Sequence, residues 1–577
     1  MKDFLDRSAI TKMQAAIVAI IVIAAAIVGA VYYATLPGPS PSASASPSPS
    51  ASISPSPTPT ATIVRIGNSW PCYIDPAVGA DFCSQAAQTN LYDPLVWPTP
   101  GGGVIPWIAT NWTISDDGLT YTFSIRKDVK FHSGGNLTAD DVAFTMHRLQ
   151  TIGQGYSWVF APYINNVTGV TVVDPYTITF HLTKRLGPFL NALVRLYIVE
   201  NATVMAHIKT DGTYGVFGDY GMEWITLHDA GSGPYKVKEV KLQDYVDMVK
   251  FDNYWYPAGF DAKAPTEVKF LPTAANTATQ KTQMLNKELE VSDEWQSQEF
   301  LDSFNTTNYI HTKSHGDVGE YYYMLNTQKE PTDDIHIRKA LAFAFDYATV
   351  MSTIYQRYDQ SKSVVPMILP GAVDCQEYNF NLTRAEEEIK LSKYYPGIVN
   401  STDPQYEIDF IVMPEVPERF LDAAVLAEQA AKIGLNVKVT SVPWTQFVEK
   451  MSKLDSSPNI APIVVDPLYV DAGSLLEMRY SSASMGTFNN GEWLANATLD
   501  AEIQDAQATM DTTARLAKYG QIQREIMDMC ATIVVYDFKV VEAVQDYVKI
   551  PQFEDPSTVV GIQGYNVVCR TWQVTPP

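Results

Sequence analysis

Apolar and polar positions alternate from Trp112 to Phe131 on both sides of Asp116-Asp117-Gly118, which predicts a β-hairpin turning at that triplet. A second predicted hairpin lies in VTGVTVVDPYTITFHL, with Val170 and Val172 opposite Ile178, Phe180 and Leu182 across an Asp-Pro-Tyr turn. Between the two, Thr138 caps a helix carrying Val142, Met146 and Leu149. The period then changes. Residues 406–412 read as a strand, 417–434 as an amphipathic helix stopped by Gly434, 436–442 as a strand, and WTQFVEKMSKL as another helix. Strand, helix and strand in so short a stretch form a βαβ crossover and predict a parallel sheet covered by helices. Residues 500–529 read as a long helical stretch that ends in the strand ATIVVYDF, and no repeat emerges at a fixed period.

One hydrophobic run has no polar partner face. Ala15 to Tyr33 is nineteen residues without charge or Pro, enough helix to span a bilayer. Lys2, Arg7 and Lys12 precede it and no Lys or Arg follows until Arg65, so the N-terminus is expected in the cytoplasm and the body outside. An uncleaved single-pass anchor is the favoured reading; a pilin-type signal around Ile10–Gln14, cleaved before the helix, is the alternative. Residues 37–62 are almost wholly Pro, Ser, Ala and Thr, cannot bury a core and are expected to form an extended stalk.

Composition sharpens this division. Of 36 prolines, eight lie between Pro37 and Pro59, and residues 63–577 hold 38 basic against 62 acidic side chains, a charge of −24. So acidic a body is a poor partner for nucleic acid. The full length of 577 residues calls for several domains. Eight N-x-S/T sequons, at Asn111, Asn136, Asn166, Asn201, Asn305, Asn381, Asn400 and Asn496, agree with an exterior location and are candidate glycosylation sites. Cys72 and Cys83 enclose a short loop and are the expected disulfide, while Cys375, Cys530 and Cys569 leave open one further bridge; Cys530, in an apolar run, also reads as a buried thiol.

Enzyme signatures are missing. His311 and His315 lack the intervening Glu of a zinc-binding HExxH pair and read as a solvated turn. Gly101-Gly102-Gly103 reads as a loop, and Gly231-Ser232-Gly233 as a turn entering the strand YKVKEV rather than a nucleophile elbow. No catalytic residue, metal or cofactor is expected. Thirty-two Tyr and eleven Trp supply flat apolar faces with polar edges, the chemistry of a cleft for peptides or sugars.

The ordered motifs resemble the family 5 solute-binding proteins, the peptide, dipeptide and nickel-complex receptors of ABC importers. Ile74-Asp75-Pro76 with LYDPLV (91–96), then IPWIATNWTISDDGLTYTFSIRKDVKFHSGGNLTADDVAFTMHRL (105–149), GSGPYKVKEV (231–240) with DNYW (252–255), and MLNTQKEPTDDIHIRKALAFAFD (324–346) follow the family's blocks in order. The resemblance implies a two-lobed, hinged α/β body of the periplasmic-binding-protein type II class, with an extra domain inserted in the first lobe and no catalysis. The implied layout is a cytoplasmic N-terminus (1–12), an anchor or signal helix (13–35), a stalk (36–62), a first lobe from 63–100, 226–320 and 535–577, an extra domain (101–225), and a second lobe (321–534). It implies a peptide ligand handed to permease subunits; the aromatic content keeps an oligosaccharide ligand as one alternative, and the anchor, stalk and sequons keep a structural surface-layer or adhesive role as another. In peptide-binding relatives an Asp in the second lobe holds the ligand's amino terminus. The matching stretch here is VVDPLYVDAGSLL (464–476), in which Asp471 aligns with the second Asp of the motif and the first falls on Leu468 or, with a two-residue shift, on Asp466; the family's Trp is absent. Family alignment and side-chain chemistry nominate Tyr73, Trp158, Tyr323, Asp466 and Tyr469 as ligand contacts.

Overall fold

Two long strands, Ile310–Leu325 and Thr532–Gln545, pair antiparallel and carry both halves of the body. The structure, a computed structural model, describes residues 62–68, 72–272, 277–414, 416 and 418–575. The apolar run and nearly all of the Pro/Ser-rich segment lie outside the described residues; among those described, no helix is long and apolar enough to cross a membrane. The long pair is regular from Ile310 opposite Gln545 to Gly316 opposite Lys539, then breaks, and resumes at Glu320 opposite Asp537.

On the near side of the break, Val291 bridges Val544 to Ile66 and so joins the pair to a four-stranded sheet. That sheet runs Ile63–Asn68, Glu267–Pro272, Tyr245–Lys250, Tyr235–Lys241, with its first pair parallel and the others antiparallel. Beyond the break, the pair is central to a six-stranded sheet ordered Asp359–Gln360, Thr532–Gln545, Ile310–Leu325, Ile460–Val465, Ile408–Val412, Val437–Ser441. Ile408–Val412 and Val437–Ser441 are parallel and joined by helix Glu418–Lys432, the crossover expected from the change of period. The two sheets make the body two-lobed.

The two predicted hairpins form one antiparallel sheet, Ala109–Ile114, Thr120–Ile125, Thr177–His181, Val170–Asp174. Helix Ala139–Ile152 starts at Thr138, whose N–H and hydroxyl both donate to the Asp141 carboxylate at 2.9 Å. Two expectations change. The stretch 500–529 is two helices, Ala497–Ala508 and Thr512–Met529, because the Asp511 carboxylate accepts from Ala514 N (2.8 Å) and restarts the helix. The His311–His315 segment is strand, not a solvated turn: its backbone is paired with 540–544, which exposes His311 and buries His315 against Phe553.

Buried ion pairs fix the joints. Arg148 forks onto Asp75 at 2.7 and 2.6 Å, tying the hairpin region to the start of the body. Asp93 accepts from Trp107 Nε1, Ser232 Oγ, Tyr254 OH and Trp255 Nε1 at 2.8–3.1 Å, so the residues behind three separate motifs meet at one carboxylate. Where the long pair resumes, fully buried Glu320 meets Arg479, which also donates to Val364 O at 2.8 Å and lies 3.5 Å over the Tyr322 ring. Cys72 and Cys83 form a disulfide; Cys375, Cys530 and Cys569 are free, and Cys530 is fully buried.

Arg479→Met should leave the Glu320 carboxylate buried without its partner and lower the unfolding free energy at pH 8 by about 3–5 kcal/mol, as urea unfolding would measure. Lys432→Met, which removes an exposed pair with Glu428, should cost less than about 1 kcal/mol.

Candidate ligand-binding cleft

Asp466 follows strand Ile460–Val465 and precedes helix Ala472–Tyr480, so it sits at the carboxyl end of a central strand. Its carboxylate lies against Gly319, in the break of the long pair; a Cβ at 319 would overlap Asp466 Oδ1, so only glycine admits this approach. Asp466 has no hydrogen-bond partner among the described residues and is half-buried. Burial, and then the charge of Asp317, hold its pKa well above the ordinary aspartate value; Arg195 opposes them in part. Arg195 is itself fully buried and spans three segments: Nε donates to Leu468 O (2.5 Å), and Nη1 to Gln85 Oε1 (2.6 Å) and Gln563 O (2.9 Å). Its guanidinium stacks 4.8 Å over Tyr156, and Nη2 is buried without a partner.

Further acids continue from Asp466 into the first lobe. Glu294 is buried with Oε2 unpartnered, and its pKa is driven up by burial, then by Glu542, Asp317, Asp293 and Asp466. Glu542 is pushed up to about 8 by burial and by Asp293. Among the described residues no group of three or more His, Cys, Asp or Glu is arranged to hold a metal ion.

An aromatic row begins beside Asp466, on the same face of Gly319. Phe538, whose Cβ also borders Gly319, is 5.0 Å from Trp295 of the first lobe and 5.6 Å from Tyr358, which stacks on Tyr536 at 4.1 Å. Two arginines flank the row: Arg357 stacks on Tyr358 at 4.9 Å with Nε and Nη1 buried and unpartnered, and Arg419 lies 5.4 Å over Tyr321 with Nε unpartnered. The neighbourhood of Gly319 thus carries an acid without a hydrogen-bond partner and, along the aromatic row, arginines with unpartnered N–H groups, while Arg195 near Asp466 also keeps one N–H group free. The arrangement can hold a molecule with separated positive and negative groups.

Residues 103–486 match the bacterial extracellular solute-binding proteins, family 5 (middle). The chain belongs to this family. The family 5 relatives include the dipeptide-binding protein of Escherichia coli, 25% identical over 487 residues that cover 80% of this chain and 86% of the relative. The dipeptide-binding protein DppE of Bacillus subtilis is 25% identical over 504 residues, covering 83% and 87%. Among solved structures, a Helicobacter pylori periplasmic binding protein in complex with the peptide STSA superposes with a TM-score of 0.73 at 20% identity, covering 89% of this chain and 98% of that one. NikA from Brucella suis in complex with Fe(III)-EDTA gives 0.72 at 21%, covering 89% and 100%. These likenesses show the fold of this family 5 chain; the family is one of extracellular binding proteins.

Of the residues that alignment nominated in this family 5 protein, Asp466 is half-buried beside Gly319. Tyr73 (51% exposed) and Trp158 (41%) are surface side chains. Tyr323 is fully buried in the second lobe, packed between Phe345 and Phe410, because the alternation of its strand turns it into that core. Tyr469 is buried, and the charges that raise its pKa, Glu477 and Asp471, belong to the helix beyond the cleft. Asp471 caps that helix, accepting from Gly473 N (2.9 Å), and pairs with Arg515 at 3.1 Å, so its carboxylate is already satisfied. Of the sequon asparagines, Asn111, Asn136, Asn166, Asn305, Asn381 and Asn400 are exposed and Asn201 and Asn496 half-buried; Asn381 and Asn496 cap helices. Glu294, Asp317, Glu542, Arg195, Arg357 and Arg419 carried no separate signal: in a chain with 64 acids and 41 bases, single charges are unremarked.

Glu542 sets a pH dependence. Its native pKa lies near 8 against an ordinary 4.5, so the folded state holds a proton that the unfolded chain has released, and its contribution to stability is lost as pH rises from about 4.5 to 8. The melting temperature should fall over that window, and Glu542→Gln should flatten the fall; an unchanged slope in calorimetric melts would exclude this assignment.

Proposed function

We propose that this chain is an extracellular receptor that captures peptides between its lobes and delivers them to an ABC import permease. In this reading residues 63–100, 226–320 and 535–577 form the first lobe, 101–225 the extra domain and 321–534 the second lobe. Ala15–Tyr33 holds the body at the membrane as a single-pass anchor, residues 36–62 serve as its stalk, and the exposed sequons are its glycosylation sites.

The observation that carries the reading is Asp466, without a hydrogen-bond partner beside Gly319, together with the aromatic row and the unpartnered N–H groups of Arg357 and Arg419 along it. A free peptide is a zwitterion with an extended, hydrogen-bonding backbone and apolar side chains. Its ammonium supplies the donors that Asp466 lacks, its carboxylate the acceptor that Arg357 and Arg419 lack, and its side chains lie along Trp295, Phe538 and Tyr358. The names of the relatives, dipeptide-binding proteins from two bacteria, support the same ligand class. An oligosaccharide has no charge for Asp466 or for the arginines. The tyrosines that suggested one, Tyr321, Tyr322 and Tyr323 among them, are fully buried.

Closure follows from the same groups. Asn191 Nδ2 donates to Val470 O (3.1 Å), Arg195 to Leu468 O, and Gly187 N to Gln507 O (2.7 Å), contacts that join the extra domain to the second lobe and must part for a ligand to enter. Ligand binding would shift that open-to-closed equilibrium and present the closed surface to the permease.

Asp466→Asn should weaken a free-amine tripeptide by about tenfold or more, and its N-acetylated form by far less, in calorimetric titration. Equal losses for the two forms would remove the amine-holding role from Asp466.

A further inference from the structure

Two of the family's sequence blocks, 105–149 and 231–240, meet at one buried histidine. His132, in the loop after Phe131, faces Asp229, just ahead of the Gly231-Ser232-Gly233 turn, and the two side chains are 6% and 5% exposed. His132 Nδ1 is hydrogen-bonded to Asp229 Oδ1, and Nε2 lies 3.0 Å from the Gly233 carbonyl oxygen. The backbone repeats the joint, because His132 N donates to Gly231 O at 2.8 Å. In the layout proposed above, His132 belongs to the extra domain and Asp229 to the first lobe.

The ring hydrogens follow from these acceptors. A carbonyl oxygen can only accept, so Nε2 carries a hydrogen. Asp229 in turn accepts from Gly231 N on Oδ1 (3.1 Å) and from Val237 N on Oδ2 (2.7 Å), as an ionised carboxylate does. A neutral ring with its hydrogen on Nε2 would point the Nδ1 lone pair at that carboxylate. A second ring hydrogen, on Nδ1, turns the contact into a charge-assisted hydrogen bond.

The surrounding charges act in the same direction. Burial by itself would lower the His132 pKa, but the charge and hydrogen bond of Asp229, then the Gly233 carbonyl and the charge of Asp93, outweigh it and hold the ring above the ordinary histidine value. Burial would likewise raise the Asp229 carboxyl, and His132 with the N–H groups of Val237 and Gly231 reverses this and holds it below the ordinary aspartate value. Phe251 meets the ring edge-on at 4.8 Å, and the neighbouring Ser133 turns its hydroxyl to Glu200.

We infer that His132 is a buried imidazolium that clasps the extra domain to the first lobe, a joint held by a proton and loosened when rising pH removes it. Without that proton, Nε2 keeps Gly233 but a bare lone pair stands against Asp229, and the contact becomes unfavourable. Two other joints, Arg148 on Asp75 and Trp107 on Asp93, contain no histidine and keep the extra domain attached, so the loosening is local. With its folded-state pKa raised, His132 contributes stability that is complete below about 6.5 and is lost as pH climbs through the folded-state value.

The test is a pH titration of the purified full-length chain carrying isotope-labelled histidine, read by NMR, with the signal missing from His132→Gln assigning the ring. His132 should show hydrogens on both ring nitrogens at pH 6 and titrate with a midpoint above about 6.5. Asp229→Asn, which keeps the shape and removes the charge, should bring that midpoint below about 6.5, because burial then prevails. Melting gives a second readout that the Glu542 dependence, common to both chains, does not disturb. The gap in melting temperature between the wild-type chain and Asp229→Asn should be widest at pH 6 and shrink by about half or more by pH 9. A His132 ring that is neutral at pH 6, or a midpoint unmoved by Asp229→Asn, overturns the inference.

Discussion

Everything in the cleft hangs from the break in one strand pair. Strands Ile310–Leu325 and Thr532–Gln545 belong to the sheets of both lobes, and between Gly316 and Glu320 their ladder is interrupted. A ladder continuous through this point would lock the lobes into one slab, since each paired residue adds hydrogen bonds that resist bending. The gap instead sets Gly319 where a bare backbone admits Asp466 and Phe538 together. The same few residues therefore form the hinge and the floor of the site, so a change in hinge angle reshapes it.

Several charged groups of the interior are joints between segments. Asp75 has both oxygens on Arg148, Asp93 takes four donors, and Asp471 has Gly473 and Arg515. Each joins segments far apart in the chain, and leaving any of them half-made would cost roughly 1–3 kcal/mol or more. Glu294, Arg195, Arg357 and Arg419 keep buried atoms without partners, and so do Arg479, Glu492 and Asp422 elsewhere in the interior, so an unpartnered atom marks a site only together with its surroundings.

This dependence on surroundings explains what was legible in the sequence. The hairpins around Gly118 and Pro175 and the crossover through Glu418–Lys432 could be read because their periods arise from burial on one face, a local property. The family motifs were equally legible, and the structure shows why they identify a fold rather than a ligand: Asp75, Asp93, Ser232 and Trp255 are joints, not contacts. Tyr323 looked like a ligand contact because aromatic type says nothing of which face of a strand it occupies, and that strand is buried on both faces. The partners of Asp466 were hidden for another reason. Glu294, Asp317 and Arg195 come from different segments, and what sets them apart is burial, with an unpartnered atom on Glu294 and Arg195, which only the packed chain defines.

Gly187, Asn191 and Arg195 donate to the backbone carbonyls of Gln507, Val470 and Leu468, neutral acceptors that water replaces readily when such contacts part. Asp466, Asp317 and Glu294 have pKa values raised first of all by burial, so each is held more readily as the neutral acid than as the bare carboxylate. A positively charged group brought to them would shift that balance toward the ionised form.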